Sequence, residues 1–277
     1  MGVMVRRRPW IWVVTVILAS CAPETSAPQE PESPRVVEPT TSPSVASGEE
    51  TDIAEGIAAS RPAAFRALDG VRLAGRVFGR GDVGIVLSHM GRTGDDQSDW
   101  FPIAQALARR GYVAFTYDRR GVCPRSGLGC SKGSDDYSEH WRDVLGAARY
   151  LLGHEVHRVF LAGASIGAMA TLYAVERARV PVAGMIWVAG LLHTGSYYFE
   201  RKDVRAITVP SLIMSGDRDA FEAARDARTL YRWIARPKRL LLLNSPEHGT
   251  DMLDPGLSPG AGRRLRQAVL RFVDRFS

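Results

Sequence analysis

The chain has 277 residues, 45% hydrophobic and 24% charged, a composition that excludes disorder throughout and suits one globular domain with some non-globular sequence. Its net charge of +6 is uneven, because residues 22–60 are acidic whereas residues 61–277 carry 32 basic against 22 acidic residues. Arginine outnumbers lysine 33 to 3 but forms no dense basic run, which disfavours nucleic-acid binding.

The first twenty residues have the pattern of an export signal. Three consecutive arginines, Arg6 to Arg8, precede the apolar stretch Trp10–Ala19. A membrane-spanning helix needs about 20 apolar residues, and this stretch is shorter. We therefore predict a targeting segment over residues 1–20 that does not belong to the fold.

The end of this segment, Leu-Ala-Ser-Cys at residues 18–21, resembles the lipobox of bacterial lipoproteins, in which the signal is cut before the cysteine and that cysteine is diacylated. The resemblance implies lipidation of Cys21, with an ordinary signal peptide as the alternative. It also implies an exported protein anchored by its N-terminal lipid to the cell membrane or outer membrane, on the periplasmic or extracellular face. Residues 21–60 are rich in Pro, Ser, Thr and Glu, and we predict that they form a disordered tether.

Export makes the two remaining cysteines a candidate disulfide. With Cys21 lipidated, Cys123 and Cys130 form an even pair in an oxidising compartment. Two unpaired surface thiols are the alternative. No His, Asp or Glu lies between the two cysteines, so we do not expect a metal site there.

Residues 61–277 are predicted to form a single α/β domain. An opening hairpin is expected from Phe65–Leu68 and Val71–Phe78, which flank an Asp-Gly turn signal. Continuous apolar runs then alternate with amphipathic stretches, as in a parallel sheet that is covered on both faces. The predicted fold is a three-layer sandwich, with a mostly parallel sheet and an antiparallel N-terminal hairpin. The apolar runs are Ile85–Leu87, Tyr112–Tyr117, Val159–Ala162, Met185–Val188, Leu212–Met214 and Leu240–Leu243.

A candidate nucleophile lies between the third of these runs and the helical segment that follows it. Residues 163–167 read Gly-Ala-Ser-Ile-Gly, and G-x-S-x-G between a strand and a helix is typical of a nucleophile elbow. The serine sits on a sharp turn, and the glycines let the strand and helix backbones pass closely. The pattern predicts Ser165 as the nucleophile, with a glycine-rich packing turn as the alternative.

A serine nucleophile needs a base and a carboxylate that orients it. His248 follows the last apolar run and is the first candidate base, with His193 second. Asp219 and Asp217 both follow the run that ends at residue 214. Asp219 could instead cap a helix, because residues 219–222 have the form of a capping box. Donors for the reaction's oxyanion are expected from Ile166 and from the loop 88–91.

Four motifs occur in order across residues 84–252. They are Ser-His-Met-Gly at 88–91, Asp-Arg-Arg-Gly at 118–121, the elbow at Ser165, and the pair G-x-x-D and His-Gly at Asp219 and His248. Together they resemble the α/β-hydrolase superfamily, and within it small serine hydrolases of the dienelactone-hydrolase and carboxylesterase type. The resemblance implies Asp219 rather than Asp217 as the acid, and Gly91, two residues after His89, as the second oxyanion donor. Met90 departs from the pattern, because the family usually has glycine there.

Together, the lipobox resemblance and the hydrolase resemblance imply an exported, membrane-tethered serine hydrolase that cleaves small carboxylic esters through an acyl-enzyme intermediate. About twenty residues separate the runs ending at Val188 and starting at Leu212, which predicts a minimal lid. Five apolar and aromatic residues of this crossover could line a shallow acyl or aryl pocket or pack against the sheet edge: Leu191, Leu192, Tyr197, Tyr198 and Phe199. A non-catalytic binding protein of the same fold, or a peptidase, thioesterase or amidase with the same residues, are the alternatives. Expected partners are a small-molecule ester and, through the lipid, a membrane; no cofactor or metal motif occurs.

Overall fold

A computed structural model describes residues 48–124 and 128–277 of the chain. The predicted signal, Cys21 and residues 22–47 lie outside the described residues. All described residues belong to one unit, Val45–Ser277. None of the helices within these ranges is long and apolar enough to cross a membrane.

A single sheet of eight strands forms the middle layer, in the order β1-β2-β4-β3-β5-β6-β7-β8. The strand β2 pairs antiparallel with β1 and with β4, and every other pairing is parallel. Each predicted apolar run falls within a strand, except that Tyr112 lies one residue before β4. The predicted three-layer fold is confirmed. The strands are β1 (Ser60–Arg66), β2 (Arg72–Phe78), β3 (Val83–Ser88), β4 (Val113–Tyr117), β5 (Arg158–Ala164), β6 (Val182–Val188), β7 (Ser211–Gly216) and β8 (Lys238–Leu243).

Helices cover both faces of the sheet, because the parallel strands are apolar on both sides. Neighbouring residues of β3 illustrate this: Val86 belongs to the core under α3, α4 and α6, while Ile85 and Leu87 belong to the core under α2 and α7. All three side chains are fully buried. The helices are α1 (Gly48–Ala58), α2 (Phe101–Ala108), α3 (His140–Leu152), α4 (Ile166–Arg177), α5 (Arg201–Arg205), α6 (Ala223–Trp233) and α7 (Ala261–Phe276).

The domain begins earlier than the predicted boundary at residue 61, because helix α1 and the start of β1 lie within the segment that the sequence assigns to the tether. Distant residues hold this helix. The Arg76 guanidinium donates to the carbonyl of Ile57 at 3.0 Å and to the hydroxyl of Ser60 at 2.6 Å. Gly56 packs so closely on Phe101 that a Cβ there would lie 2.1 Å from the ring. Local composition therefore understates the order of this segment.

The two edge strands carry residues that discourage pairing with another chain. Strand β1 contains Pro62 between charged residues, and β8 begins with Lys238 and Arg239. Proline lacks the N–H that a ladder needs, and a buried charge in a new interface would lose its hydration.

The structure pairs Cys123 with Cys130 as a disulfide, as predicted. Ser131, next in the chain, fixes the end of this loop. Its hydroxyl donates to the carbonyl of Asp118 at 2.5 Å and accepts from the backbone N–H of Ala74 at 3.0 Å. The bridged loop is thus attached both to β2 and to the segment that follows β4.

The turn from β5 into α4 depends on two glycines. A Cβ at Gly163 would lie 2.2 Å from the carbonyl oxygen of Gly167, and a Cβ at Gly167 would lie 2.5 Å from the carbonyl oxygen of Ser88. Both clashes are with backbone atoms, which cannot move as a flexible side chain could. The sequence interpretation that these glycines allow close backbone passage is confirmed.

We predict that Gly163→Ala destabilises the domain by about 1–3 kcal/mol or more, since overpacking against backbone forces the turn open. Gly195→Ala is the matched control, because a Cβ at Gly195 meets no atom within 4 Å. Urea unfolding monitored by circular dichroism measures both variants. Equal midpoints for the two would contradict this account of the turn.

Candidate active site

Ser165 occupies the tip of the turn between β5 and α4 in a backbone conformation that few side chains adopt. Its φ is +52° and its ψ is −122°. Its N–H donates to the carbonyl of Val188 at 2.9 Å. A non-glycine residue at positive φ persists only where the surrounding structure holds it, and such residues cluster at functional sites. The conformation presents the Ser165 side chain at the carboxyl edge of the sheet.

Three side chains from three strand ends form a continuous hydrogen-bonded chain. His248 Nε2 lies 2.8 Å from Ser165 Oγ, and His248 Nδ1 lies 2.7 Å from Asp219 Oδ2. A carboxylate can only accept, so Nδ1 carries the hydrogen and Nε2 is left to accept from the serine hydroxyl. The structure therefore brings together the three residues that the sequence selected, in an arrangement in which a neutral histidine can accept the hydrogen of the serine hydroxyl.

The reserve residues lie elsewhere. Asp217 Oδ1 accepts from the backbone N–H of Ser245 at 3.1 Å. His193 Nε2 lies 3.1 Å from the carbonyl oxygen of Phe199, and its ring stacks on Tyr198. Among the described residues, neither reserve side chain makes a hydrogen bond to the triad.

The alternative role for Asp219, as the N-cap of the next helix, is wrong. Helix α6 begins at Ala223, and its N-cap is Glu222, which has a left-handed φ of +58°. Asp219 Oδ1 instead accepts from the backbone N–H of Phe221 at 2.9 Å, which leaves Oδ2 for His248. The Asp219 side chain is fully buried, and each of its two oxygens accepts a hydrogen bond.

Two backbone segments meet beside Ser165. A Cβ at Gly91 would lie 2.9 Å from the Cγ2 atom of Ile166, which places the loop after β3 against the first turn of α4. Within the described ranges, the backbone N–H groups of Met90, Gly91 and Ile166 donate to no protein acceptor. Free N–H groups at a helix start favour negative charge nearby. These are the donors that the sequence analysis expected for an oxyanion.

The bulk of Met90 is accommodated away from this loop. The Met90 side chain is buried, and its sulfur accepts from the backbone N–H of Thr250 at 3.4 Å. Gly249, at φ +56°, lies so close that a Cβ there would be 2.2 Å from the sulfur. The methionine that departs from the family pattern thus supports the turn that follows His248.

Arg119, from the Asp-Arg-Arg-Gly segment, lies behind the loop and is buried. Its backbone N–H donates to His89 Nε2 at 3.1 Å, and its guanidinium pairs with Asp135 and donates to the carbonyl of Met90. Burial, with the nearby positive charge of Arg119, holds the pKa of His89 well below its usual range. The motif was visible in the sequence, but these partners were not, since they come from two other segments, the loop after β3 and the stretch before α3.

The flanking residues of that segment tie separate elements together. Asp118 accepts from the backbone N–H of Gln97 at 2.9 Å and from its side-chain amide at 2.5 Å. Burial raises the pKa of Asp118 to about 7, and the Gln97 hydrogen bonds oppose the rise. Arg120 pairs with Asp143 of α3 and with Asp69 of the hairpin turn.

Phe221 is an exposed aromatic residue beside His248, and no sequence pattern marked it as part of the site. Its ring centre lies 4.5 Å from that of His248, and 56% of the residue is exposed. In contrast, Leu192, Tyr197 and Phe199 of the crossover after β6 are buried in the core. Of the two alternatives for these three residues, packing in the core is confirmed and lining a pocket is wrong.

The described residues hold no group of three His, Cys, Asp or Glu side chains that could bind a metal ion.

Solved structures with the same fold include several hydrolases. An esterase from Pyrococcus furiosus is 14% identical with a TM-score of 0.63, over 78% of this chain and 91% of that one. An enol-lactonase from Burkholderia xenovorans is 18% identical with a TM-score of 0.61, over 76% and 99%. An esterase from Thermogutta terrifontis is 15% identical with a TM-score of 0.62, over 78% and 99%. At these identities the likeness shows the fold alone.

Comparison with curated proteins gives no match. The model of the alpha/beta hydrolase family matches residues 85–276, which include the loop after β3, the turn at Ser165, and Asp219 and His248. This match covers more than half of the chain. The protein therefore belongs to the alpha/beta hydrolase family.

Proposed function

We propose that the protein is an exported, membrane-tethered serine hydrolase that cleaves small carboxylic esters through an acyl-enzyme intermediate. The observation that carries the proposal is the chain of hydrogen bonds from Ser165 to His248 to Asp219, at 2.8 Å and 2.7 Å. Free backbone N–H groups lie beside the serine, where an acyl-transfer reaction develops negative charge.

Each group has one role in the proposed mechanism. Ser165 Oγ attacks the ester carbonyl carbon while His248 Nε2 takes the hydroxyl proton, and Asp219 stabilises the imidazolium. The tetrahedral oxyanion accepts from the N–H groups of Ile166 and Gly91. The C–O bond to the leaving alcohol then breaks, and His248 returns the proton to that alcohol. Water then attacks the acyl carbon while His248 takes one of its protons. The bond from that carbon to Ser165 Oγ breaks, His248 returns the proton to Oγ, and the acid leaves.

The shape of the site favours small substrates. The crossover between β6 and β7 contains a single helix of five residues, α5, so it offers no long helical lid to bury an extended acyl chain. Exposed Phe221 beside His248 offers an apolar contact to a short alkyl or aryl group. The solved structures named as esterases and an enol-lactonase, a lactone being an internal ester, support the choice of bond.

The proposed tether rests on the sequence alone. Leu-Ala-Ser-Cys at residues 18–21 ends an export-like segment, and the proline-rich stretch that follows leads to the domain. A lipid on Cys21 would hold the domain at the cell envelope.

We predict that Ser165→Ala and His248→Ala each lower kcat for a short-chain p-nitrophenyl ester by on the order of 10⁶, and that the double variant is no slower than either, because each group is useless without the other. A fluorophosphonate probe should label the wild type and not Ser165→Ala. Ser134→Ala, at an exposed serine, is the control and should be labelled fully. Labelling that persists in Ser165→Ala would refute the assignment of the nucleophile.

For the acid, Asp219→Asn should lower kcat by about 10⁴, since asparagine can hold a histidine only in the wrong tautomer. Asp217→Asn should lower it by less than about tenfold, because Asp217 contacts Ser245 rather than His248. Steady-state kinetics of the two purified variants give the comparison. The reverse order of activities would make Asp217 the acid.

For the tether, Cys21→Ala should abolish incorporation of radiolabelled fatty acid and release the protein from the membrane fraction, while kcat of the purified protein stays unchanged. Membrane fractionation of cells expressing each form measures the effect. Equal labelling of wild type and variant would rule out lipidation at Cys21.

A further inference from the structure

The loop 88–91, which supplies the proposed oxyanion donor Gly91, is called the oxyanion loop. Two of its consecutive peptide carbonyls each accept a hydrogen bond from a side chain of another segment. The guanidinium Nη1 of Arg119 donates to the carbonyl oxygen of Met90. The hydroxyl of Tyr137 donates to the carbonyl oxygen of Gly91 at 2.5 Å. Both donors come from the segment after β4, far from the loop in sequence. Gly91 is thus fixed through the peptide before it and the peptide after it.

The first of these contacts acts on the group that matters for the reaction. The carbonyl of Met90 and the N–H of Gly91 belong to the same peptide unit, and in a trans peptide they point in opposite directions. Holding the carbonyl on one side therefore sets the direction of the N–H on the other. A positively charged donor also polarises the peptide, which makes its N–H a stronger donor.

Arg119 is itself held in one orientation. Its Nε and Nη2 atoms donate to the two oxygens of Asp135 at 2.8 Å and 3.0 Å. His140 Nε2 lies 3.0 Å from the same carboxylate. Burial acts to raise the pKa of Asp135, but the hydrogen bonds from His140 and Arg119 outweigh it and hold that pKa well below its usual range. The third nitrogen, Nη1, is thereby held where it donates to the carbonyl of Met90 and lies 2.9 Å from His89 Nδ1.

We propose that Arg119 is a positioning residue for the oxyanion hole: it orients and polarises the Met90–Gly91 peptide so that the Gly91 N–H donates to the developing oxyanion, while Tyr137 fixes the following peptide. The inference rests on the proposed function and extends it to two residues that do not touch the reacting atoms. It predicts a loss in transition-state binding with little loss in ground-state binding.

The neighbouring arginine supplies a matched control. Arg120 is as buried as Arg119 and also pairs with two groups through its guanidinium, but these are Asp143 and Asp69. Its side chain makes no hydrogen bond to the oxyanion loop in the described part of the chain. Arg120→Lys therefore reports the cost of disturbing a buried arginine without touching the Met90–Gly91 peptide.

The experiment compares Arg119→Lys, Tyr137→Phe and Arg120→Lys in the full-length enzyme, with active sites counted by fluorophosphonate titration. For Arg119→Lys we expect kcat on a short-chain ester to fall about tenfold to a hundredfold, since removing an oxyanion donor outright costs about 10²–10³. KM should stay within about threefold. Inhibition by an aryl trifluoromethyl ketone, whose adduct carries an oxyanion, should weaken by the same factor as kcat. Tyr137→Phe should show a smaller loss of the same kind.

Arg120→Lys should lower the melting temperature while its titrated sites keep wild-type kcat and ketone affinity. If Arg119→Lys does not fold, Tyr137→Phe decides, because that change removes one hydroxyl at a partly exposed position. The positioning role is overturned if the folded variants match Arg120→Lys in kcat and ketone affinity within about twofold, or if the loss lies in KM. An inactive wild type, or activity that survives in Ser165→Ala, would instead refute the proposed function.

Discussion

The contact of Gly163 with Gly167 is the constraint on which the rest of the site depends. It brings the start of α4 so close to β5 that Ser165 must take a positive φ, which projects its hydroxyl from the turn. The same approach places Gly167 against the carbonyl of Ser88, so the loop after β3 lies beside the first turn of α4. One backbone contact thus sets the nucleophile and the neighbouring N–H donors in place together.

The sequence could predict what local pattern and topology determine. Continuous apolar runs marked the parallel strands, since a strand covered on both faces needs apolar residues on both. Because the carboxyl ends of parallel strands meet at one edge, residues just after β5, β7 and β8 had to converge there. The order of nucleophile, acid and histidine along the chain selected His248 over His193, because His193 precedes both candidate acids, and the observed geometry agrees. The choice of Asp219 over Asp217 needed the family resemblance, because both aspartates follow the same strand end.

What the sequence could not supply was set by contacts between distant segments. Helix α1 is composed like a tether and is held by Arg76 and Phe101, which belong to other elements. The predicted capping box at Asp219 is absent, because α6 begins only at Ala223 and the Asp219 carboxylate is hydrogen-bonded to His248. Arg119 was one residue of a recognised motif, and its contact with the Met90 carbonyl exists only once β3 and β4 are paired.

The edge strands bear on how such molecules behave when they are crowded. Lipid anchoring would confine many copies to a two-dimensional layer, where the open margins of their sheets meet far more often than in dilute solution. An incoming strand at β1 would face Pro62, which offers no N–H, and at β8 it would have to strip water from Lys238 and Arg239. Dense packing on a surface is therefore compatible with sheets that stay eight strands wide.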